Sequence, residues 1–586
     1  MAASDGPFVL LDGPGAARLF SRPVEIIETR ESAQVRTCLD RVQAAAGRGL
    51  HAAGFIGYEA GLALEPKLVS LAATLPAAAP PLLWFGLFAA AEAVDIDAWL
   101  PDPAGAWCGP ARPRIDHAAY LAAADQAIAH IFAGDIYQAN FTFRAEARVA
   151  GSPRALYAGL RTRGGARHGA IVFTGAHWLL SCSPELFFTL EGRRITARPM
   201  KGTAVRRADP AADAAETKLL LADPKQRAEN LMIVDLLRND LARVAAPGTV
   251  AVPRLFEVET YPTIHQMTST VTAELAPGLD TIDLIAAAFP CGSVTGVPKI
   301  RAMEIIAALE QDVRGPYTGS IGMIAPDGNA AFNVAIRTLV LARDAAAATL
   351  GLGSAIVADS RPEEEWRECL AKGAFVADRR PLDLLETMRF DPLDGLADLE
   401  RHLARMKASA EALDFAFDRH DARNELQAAT FRLRSASVVR LRLSRSGAIA
   451  LETRAAPTPP IEPVEVAVVP LPVDPADFRL RHKTGDRAFY DAARRAASTF
   501  EVLFESGGAL TEGSFTNLFV ERDGRLVTPP LSRGLLPGIL RERLLEEGRA
   551  VEGEVTRADL ANGFLIGNAL RGLIPARLAS GCADHT

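Results

Sequence analysis

From residue 7 to 375 the apolar positions switch repeatedly between a strand-like and a helix-like spacing. In AIVFTGAHWLLSCSPELFFTLEGRRITARPM (170–200), short apolar runs separated by Gly-containing turns predict successive β-strands. In ENLMIVDLLRNDLARV (229–244), apolar residues at 231, 233, 234, 237 and 241 predict a helix that Glu229 opens. CGSVTGVPKIRAMEIIAALE (291–310) reads as a Gly-rich loop feeding a helix, and GSIGMIAPDGNAAFNVAIRTLVLA (319–342) as a hairpin with an Asp-Gly turn. The texture changes near 374–383. A new unit then begins with the strand LLETMRFD (384–391) and an amphipathic helix in LADLERHLARMKASAEALDF (396–415). The proline-rich RAAPTPPIEP (454–463) predicts an extended connector, dividing this unit into a small lobe, about 384–455, and a large lobe, about 464–580. No fixed-period repeat is present.

Composition narrows the class. A chain of 586 residues is too long for one hydrophobic core. With 49% hydrophobic and 23% charged residues it is ordinary globular protein. A net charge of -7 leaves no electrostatic footprint for nucleic acid or an acidic membrane. The six cysteines form no CxxC pair, so neither a zinc site nor a disulfide framework is indicated. The opening MAASDGPFVL carries an acid where a secretory leader needs basic residues. The least polar window, LAATLPAAAPPLLWFGLFAAA (71–91), contains three prolines and predicts a loop followed by a strand, not a membrane span. These features predict a soluble cytoplasmic protein.

Several side chains stand out for their chemistry. Glu365, Glu368 and Lys372 fall at i, i+3 and i+7, on one face of the helix predicted in PEEEWRECLAKGAF (362–375). Together with Glu229 they offer hard oxygen ligands of the kind Mg2+ takes, although the same spacing also serves surface salt bridges. Arg337 interrupts an apolar run and requires an anionic partner, either an internal carboxylate or a ligand. Gly351 and Gly353 would allow backbone amides to approach an anion. Lys201 in RPMKGT is either a solvated charge or an amine held for chemistry.

The segments GDIYQANFTF, SPELFF, RPMKGT, ENLMIVDLLRND, YPTIHQMTSTV, CGSVTGVPKIRAME, GPYTGSIG, NVAIRTL, GSAIVADS and EEEWRECLAK occur in this order over residues 110–375. In this they resemble the chorismate-utilising enzymes, among them anthranilate synthase component I, aminodeoxychorismate synthase component I, isochorismate synthase and salicylate synthase. The resemblance implies an α+β fold of two packed sheets with helices outside, residues 1–110 forming its more variable N-terminal part and 111–375 the catalytic core. It implies Glu229 and Glu368 as Mg2+ ligands with Glu365 as a supporting acid. It implies Arg337 and Tyr317, with the backbone around Gly353 and Ser354 and with Lys372, as contacts to the chorismate carboxylates. His265 and Thr295 would line the ring, and Glu185 would protonate the departing C4 hydroxyl. Where water-using relatives carry a lysine base, this chain has Gln138, which disfavours isochorismate synthesis. Anthranilate synthases resemble PIAGT at the RPMKGT position, whereas the aminodeoxychorismate synthases resemble PIKGT. Lys201 is therefore expected to be a nucleophile, its amine kept neutral by burial and by Arg198, Arg206 or Arg207. None of the cysteine contexts fits a glutaminase elbow, so ammonia would come from a separate glutamine amidotransferase or from solution.

After a linker at about 376–383, residues 384–586 carry HKTGDRAFYDAARRAA, LTEGSFTNLFVERDGRLVTPPLSRGLLPGILRERLL and GFLIGNALRGLIPARL. These resemble the class IV, or fold-type IV, pyridoxal phosphate enzymes, which include branched-chain and D-amino-acid aminotransferases and 4-amino-4-deoxychorismate lyase. The resemblance implies a two-lobed domain in which Lys483 carries the cofactor and Glu512 pairs with its ring nitrogen. Arg405, Gly538, Ile539, Asn568 and Ala569 would hold the phosphate, partly through a helix N-terminus. Thr387 and Arg445 are weaker substrate-site candidates, and a homodimer through this domain is implied as well. The family's longer opening segment is reduced here to VADRRPLDLLETM, and Ala488 stands where the aminotransferases place a tyrosine. The two resemblances together imply amination of chorismate at C4 followed by loss of pyruvate, giving 4-aminobenzoate, a folate precursor. The rivals are an anthranilate synthase-like component I fused to a class IV aminotransferase, and a catalytically silent scaffold.

Overall fold

The computed structural model describes residues 6–579 except 73, 262, 263, 459 and 461, so part of the proline-rich connector lies outside the described residues. Two compact units emerge. The first comprises residues 1–100, 110–147 and 157–377, and the second comprises 101–109, 148–156 and 378–586. Two short segments that chain order places early, 101–109 and 148–156, thus pack with the C-terminal unit. Trp107 shows why, since its fully buried indole belongs to the same apolar cluster as Met388, Leu403 and Val439.

The first unit is built on two sheets. One runs from Gly296–Val297 and Gln138–Gly151 through Ala347–Ile356 and Thr338–Ala342 to Phe8–Asp12 and Glu92–Val94. The other runs from Met200–Val205 and Ile264–Glu274 through Arg194–Arg198 and Leu186–Glu191 to His51–Ile56 and Glu25–Thr29. Val9, Phe20 and Val172 of the first sheet and Phe55, Trp84 and Ile321 of the second fill one apolar layer, so the sheets pack face to face. Helices Val35–Ala46, Pro224–Ala242 and Thr281–Ala288 bury their apolar stripes on the outer face of the second sheet. Helix Pro362–Gly373 docks by Trp366, whose ring stacks 5.2 Å from Phe143 and lies 5.0 Å from Tyr120.

The local expectations hold in kind and shift in detail. The strand series resolves into Gly169–Phe173, His177–Ser181, Leu186–Glu191 and Arg194–Arg198. The helix around Glu229 starts earlier, at Pro224, where Asp223 accepts hydrogen bonds from the Lys225 and Gln226 amides. Glu229 therefore sits in its second turn, and Leu231 is exposed rather than core. Arg337 does not interrupt a strand. It lies in the crossover from Ala330–Asn333 in one sheet to Thr338–Ala342 in the other, with φ at 50°. For a non-glycine residue that conformation costs free energy and marks a constrained position.

In the second unit, strands Gly395–Leu396, Leu384–Asp391, Ser437–Leu443 and Ile449–Ala455 form one sheet under helices Leu399–Ala412 and Arg419–Thr430. Ala509–Gly513, Glu501–Ser506, Val464–Pro470, Gly572–Leu578, Phe564–Asn568, Asn517–Arg522, Arg525–Thr528 and Ala550–Glu552 form the other. The Glu512–Asn517 pairing joins two strands of this second sheet that are not neighbours along its path, and so curls that end upon itself. A short helix, Phe478–Arg481, precedes Lys483.

Candidate active sites of the two units

In the first unit, Lys201 is held by its backbone. Asn230, fully buried, donates from Nδ2 to the Lys201 carbonyl at 3.2 Å and accepts from Ser269 Oγ at 2.6 Å. This fastens strand Met200–Val205 to the second turn of helix Pro224–Ala242 and brings Lys201 Nζ to 3.2 Å from Glu229 Oε2. Glu185 and Glu368 both lie within electrostatic reach of Lys201, so Lys201 stands among carboxylates. The expected crowding by arginines is absent. Arg198 pairs with Glu259, Arg206 with Asp213 and Arg207 with Glu216. The sequence hides this because each of those carboxylates is distant in the chain or on another element.

Glu185 is buried with Oε1 lacking a partner, and burial pushes its carboxyl up to about 7 against the pull of Ser293 and Lys201. A carboxyl that remains protonated near neutrality can serve as an acid. Gln138 is fully buried with both side-chain polar atoms unpaired. Thr295 is fully buried and hydrogen-bonds the Gly292 carbonyl at 3.2 Å. Orphaned polar atoms of this kind are the mark of a site awaiting a polar ligand.

The metal candidates are only partly gathered. Glu368 Oε1 lies 2.7 Å from Lys372 Nζ, which also donates to the Gly353 carbonyl at 3.0 Å. Burial pushes Glu368 up, but Lys372 and Lys201 outweigh it and hold the carboxyl below its ordinary value. Glu365 instead accepts from Ser360 Oγ at 2.7 Å. Among the described residues no three acidic, His or Cys side chains form a metal cluster. Two carboxylates flanking Lys201 nevertheless fit Mg2+, which takes one or two protein carboxylates and completes its shell with substrate and water.

Other candidates separate. Arg337 donates to the Gly164 carbonyl at 2.7 Å and lines a small cavity with Met200, Tyr261 and Gln266. His265 does not line that cavity. Its Nε2 lies 2.9 Å from Asp213 and its Nδ1 3.1 Å from Thr260 Oγ1. Successive strand residues face opposite sides, so Gln266 takes the cavity side and bonds the Gly202 carbonyl at 2.7 Å. Tyr317 is buried and explains Gly351, where a Cβ would stand 2.0 Å from the tyrosine ring. Gly351 thus serves close packing against Tyr317. Ser354 Oγ meets Tyr120 OH at 3.5 Å.

In the second unit a cavity of about 540 Å³ gathers Thr387, Arg405, Lys483, Glu512, Gly538, Ile539, Asn568 and Ala569. Burial lowers the Lys483 amine to about 7, with Arg405, Arg487 and Arg440 adding to it and Glu386 opposing. An amine so placed is substantially neutral at physiological pH. Burial raises Glu512 to about 7, although Tyr490 OH donates to it at 2.6 Å and the Leu536 amide at 3.0 Å. Arg405 is fixed by Glu386 at 2.8 and 2.7 Å and by the Pro537 carbonyl at 2.9 Å. Its guanidinium is thereby anchored beside the N-terminus of helix Ile539–Glu546, whose N-cap is Gly538. A Cβ on Gly538 would meet Asn517 Oδ1 at 1.8 Å. An arginine, a helix N-terminus and a close backbone make a phosphate cradle. Lys483 and Glu512 line the same cavity, so the donor set fits pyridoxal phosphate.

Sequence reasoning missed Glu386, although it alternates with Met388 on the buried face of LLETMRFD. It missed Arg440, Arg454, Arg487, Arg494 and Arg571, which also line the cavity. It misplaced Arg445, which sits in a turn over the rings of Trp107 and Phe415, at 5.3 and 5.1 Å, and outside the cavity lining.

Residues 6–378 match the family described as chorismate binding enzyme, and residues 383–579 match amino-transferase class IV. Aminodeoxychorismate synthase component 1 of Klebsiella aerogenes is 45% identical over 42% of this chain and 54% of its own length. Anthranilate synthase component 1 of Streptomyces coelicolor is 43% identical over 42% of this chain and 47% of its own length. The chain thus spans about half the length of the curated relatives it matches. The crystal structure of anthranilate synthase component I from Streptococcus pneumoniae superposes with a TM-score of 0.54 at 25% identity, covering 62% of this chain and 93% of that one. The class IV match implies pyridoxal phosphate for the second unit. Since its family match covers most of the sequence, the chain belongs to the chorismate binding enzymes, with an amino-transferase class IV domain following in the same polypeptide.

Proposed function

We propose that the first unit aminates chorismate at C4 and that the second removes pyruvate from the product to give 4-aminobenzoate, a folate precursor. The observation that carries the reading is Lys201, an amine fastened beside Glu229 and within electrostatic reach of Glu185 and Glu368. Mg2+ held by Glu229 and Glu368 would supply Lewis-acid polarisation of the C1 carboxylate. Lys201 Nζ, once its ammonium proton has passed to water, adds at C2 as the neutral amine while the ring double bonds shift and the C4–O bond breaks. Glu185 gives its proton to the departing hydroxyl, which leaves as water. Ammonia then adds at C4, the double bonds return, and Lys201 leaves from C2 as the neutral amine, while the proton lost from the new nitrogen restores Glu185. Gln138 offers no base for water, which favours nitrogen over oxygen as the final nucleophile.

In the second unit, pyridoxal phosphate held by Lys483, Glu512, Arg405 and the Gly538 helix end would supply an electron sink. Glu512 is placed to keep the ring nitrogen protonated. Lys483 Nζ takes the proton from substrate C4, the C3–O bond breaks, and a proton returns to the methylene carbon of the departing enolpyruvate. Loss of pyruvate makes the ring aromatic, a driving force that amino transfer lacks.

The deciding experiment is product analysis after incubation with chorismate, Mg2+, pyridoxal phosphate and ammonium. We expect 4-aminobenzoate and pyruvate. Anthranilate would favour the rival that the Streptomyces relative represents. Amino transfer to 2-oxoglutarate without 4-aminobenzoate would favour an aminotransferase.

Glutamine alone should not support turnover, because none of the six cysteines lies in a glutaminase elbow. Ammonium at alkaline pH should, and a separate glutamine amidotransferase is the natural donor. Robust activity with glutamine and no added protein would overturn this.

The rate at which cofactor-free protein captures pyridoxal phosphate should rise with pH and level off above about 7, the value to which burial lowers Lys483. The sign follows from the neutral amine being the reactive form. Stopped-flow absorbance across pH 5–9, a window set by that value within about two units either side, would test it. A rate still climbing steeply at the top of the window would contradict it.

A further inference from the structure

The cofactor and its anchors leave much of the second cavity's charge unused. Six arginines and Lys483 face two carboxylates, Asp491 and Glu512, across its lining. Arg405 belongs to the phosphate cradle, and Arg487 is tied to the Ser514 carbonyl at 2.6 Å. Arg440 and Arg454 project into the cavity from adjacent paired strands, where Thr387 stands opposite Arg440 and Val438 opposite Arg454. Among the described residues Arg440 has Glu452 as its ion-pair partner, at a loose 4.0 Å. In the same lining one ring, Phe515, carries two guanidiniums, those of Arg494 and Arg571, each 5.2 Å from its centroid. Burial first, then repulsion from Arg454, lowers the proton affinity of Arg571, with Glu501 opposing and Arg494 adding to it, so Arg454, Arg494 and Arg571 are close enough to act on one another. A group of mutually repelling guanidiniums lining a cavity is stabilised when an anion enters.

We infer that Arg440, Arg454 and Arg571 form a receiving rim for a substrate with two carboxylates, and that this rim selects dicarboxylates over ordinary monocarboxylate amino acids. The inference rests on the lyase reading for the identity of that substrate, 4-amino-4-deoxychorismate, which carries a ring carboxylate and an enolpyruvyl carboxylate. The rim itself is a property of the cavity. One carboxylate alone would leave part of the charge unmatched, whereas two can each meet a guanidinium, and fork-shaped donors suit planar carboxylates.

The test uses the full chain loaded with pyridoxal phosphate, whose visible absorbance reports on the second unit alone. Isophthalate, a planar dicarboxylate, is titrated against benzoate, its monocarboxylate counterpart. Isophthalate should perturb the spectrum at a concentration about tenfold lower or less, and the difference should shrink as salt rises. In an Arg454→Gln/Arg571→Gln protein the two probes should bind alike, while the unperturbed cofactor spectrum stays as in wild type. Equal binding of the two probes to wild type overturns the rim, and that measurement does not depend on the variant folding. A preference that survives in the double variant also overturns it. Formation of 4-aminobenzoate by wild type is scored separately. Its absence alongside an intact dicarboxylate preference overturns the lyase reading and leaves the rim standing.

Discussion

Lys201→Ala is expected to lower formation of 4-amino-4-deoxychorismate by about a thousandfold or more, because it removes the nucleophile of the first displacement. Ammonia then meets a C2 position no longer occupied by the enzyme, and some anthranilate should appear. The geometry isolates this effect. Lys201 is partly exposed, and the substitution breaks its ion pair with Glu229, which spans 3.2 Å. Such a pair contributes at most about 1 kcal/mol, so the melting temperature should change little. The Lys201 backbone remains held by Asn230. The second unit should still convert added 4-amino-4-deoxychorismate at the wild-type rate. Chromatography of products from chorismate, Mg2+ and ammonium decides it. Unchanged formation of 4-amino-4-deoxychorismate would remove the covalent role of Lys201.

Lys483→Ala should lose the visible absorbance of the bound cofactor, stop 4-aminobenzoate release and let 4-amino-4-deoxychorismate accumulate, with the first unit unaffected. In the proposed reading the amine is both the attachment point and the base, so its loss removes both roles at once. A second readout concerns the cofactor-free protein. Burial lowers Lys483 from 10.5 to about 7, so the unfolded chain holds this proton over a range in which the folded chain has released it. Burying the group therefore destabilises the fold increasingly as pH falls through that range, and fully below about 7. Cofactor-free Lys483→Ala should consequently melt at no lower temperature than wild type at pH values below that point. Melting at distinctly lower temperature would mean that Lys483 is held charged by a partner, contrary to the cavity described above. Retained 4-aminobenzoate formation would overturn the assignment of Lys483 altogether.

The elements and the chemistry on offer are legible along the chain. Period-two runs and Gly turns specify the strands from Gly169 to Arg198, and a 3.6-residue stripe specifies the helix running on from Glu229, though not its start at Pro224, because both patterns are set by neighbours along the chain. Motif order is enough to single out Lys201, Glu185, Lys483 and Glu512. Which side chains face one another is settled only by folding. Arg198, Arg206 and Arg207 look like a cationic cluster around Lys201 until folding delivers Glu259, Asp213 and Glu216 to them. His265 and Gln266 are neighbours in sequence, and only the register of Ile264–Glu274 in its sheet turns the first toward Asp213 and the second toward Arg337. Arg337 reads as a strand residue but occupies the crossover between two sheets, a place defined by their packing. The proposed arginine rim draws Arg440 and Arg454 from two paired strands and Arg571 from a turn far along the chain. Periodicity along one segment carries no information about such pairs, since pairing depends on sheet register and on the approach of distant elements, and these are fixed only when the chain closes on itself.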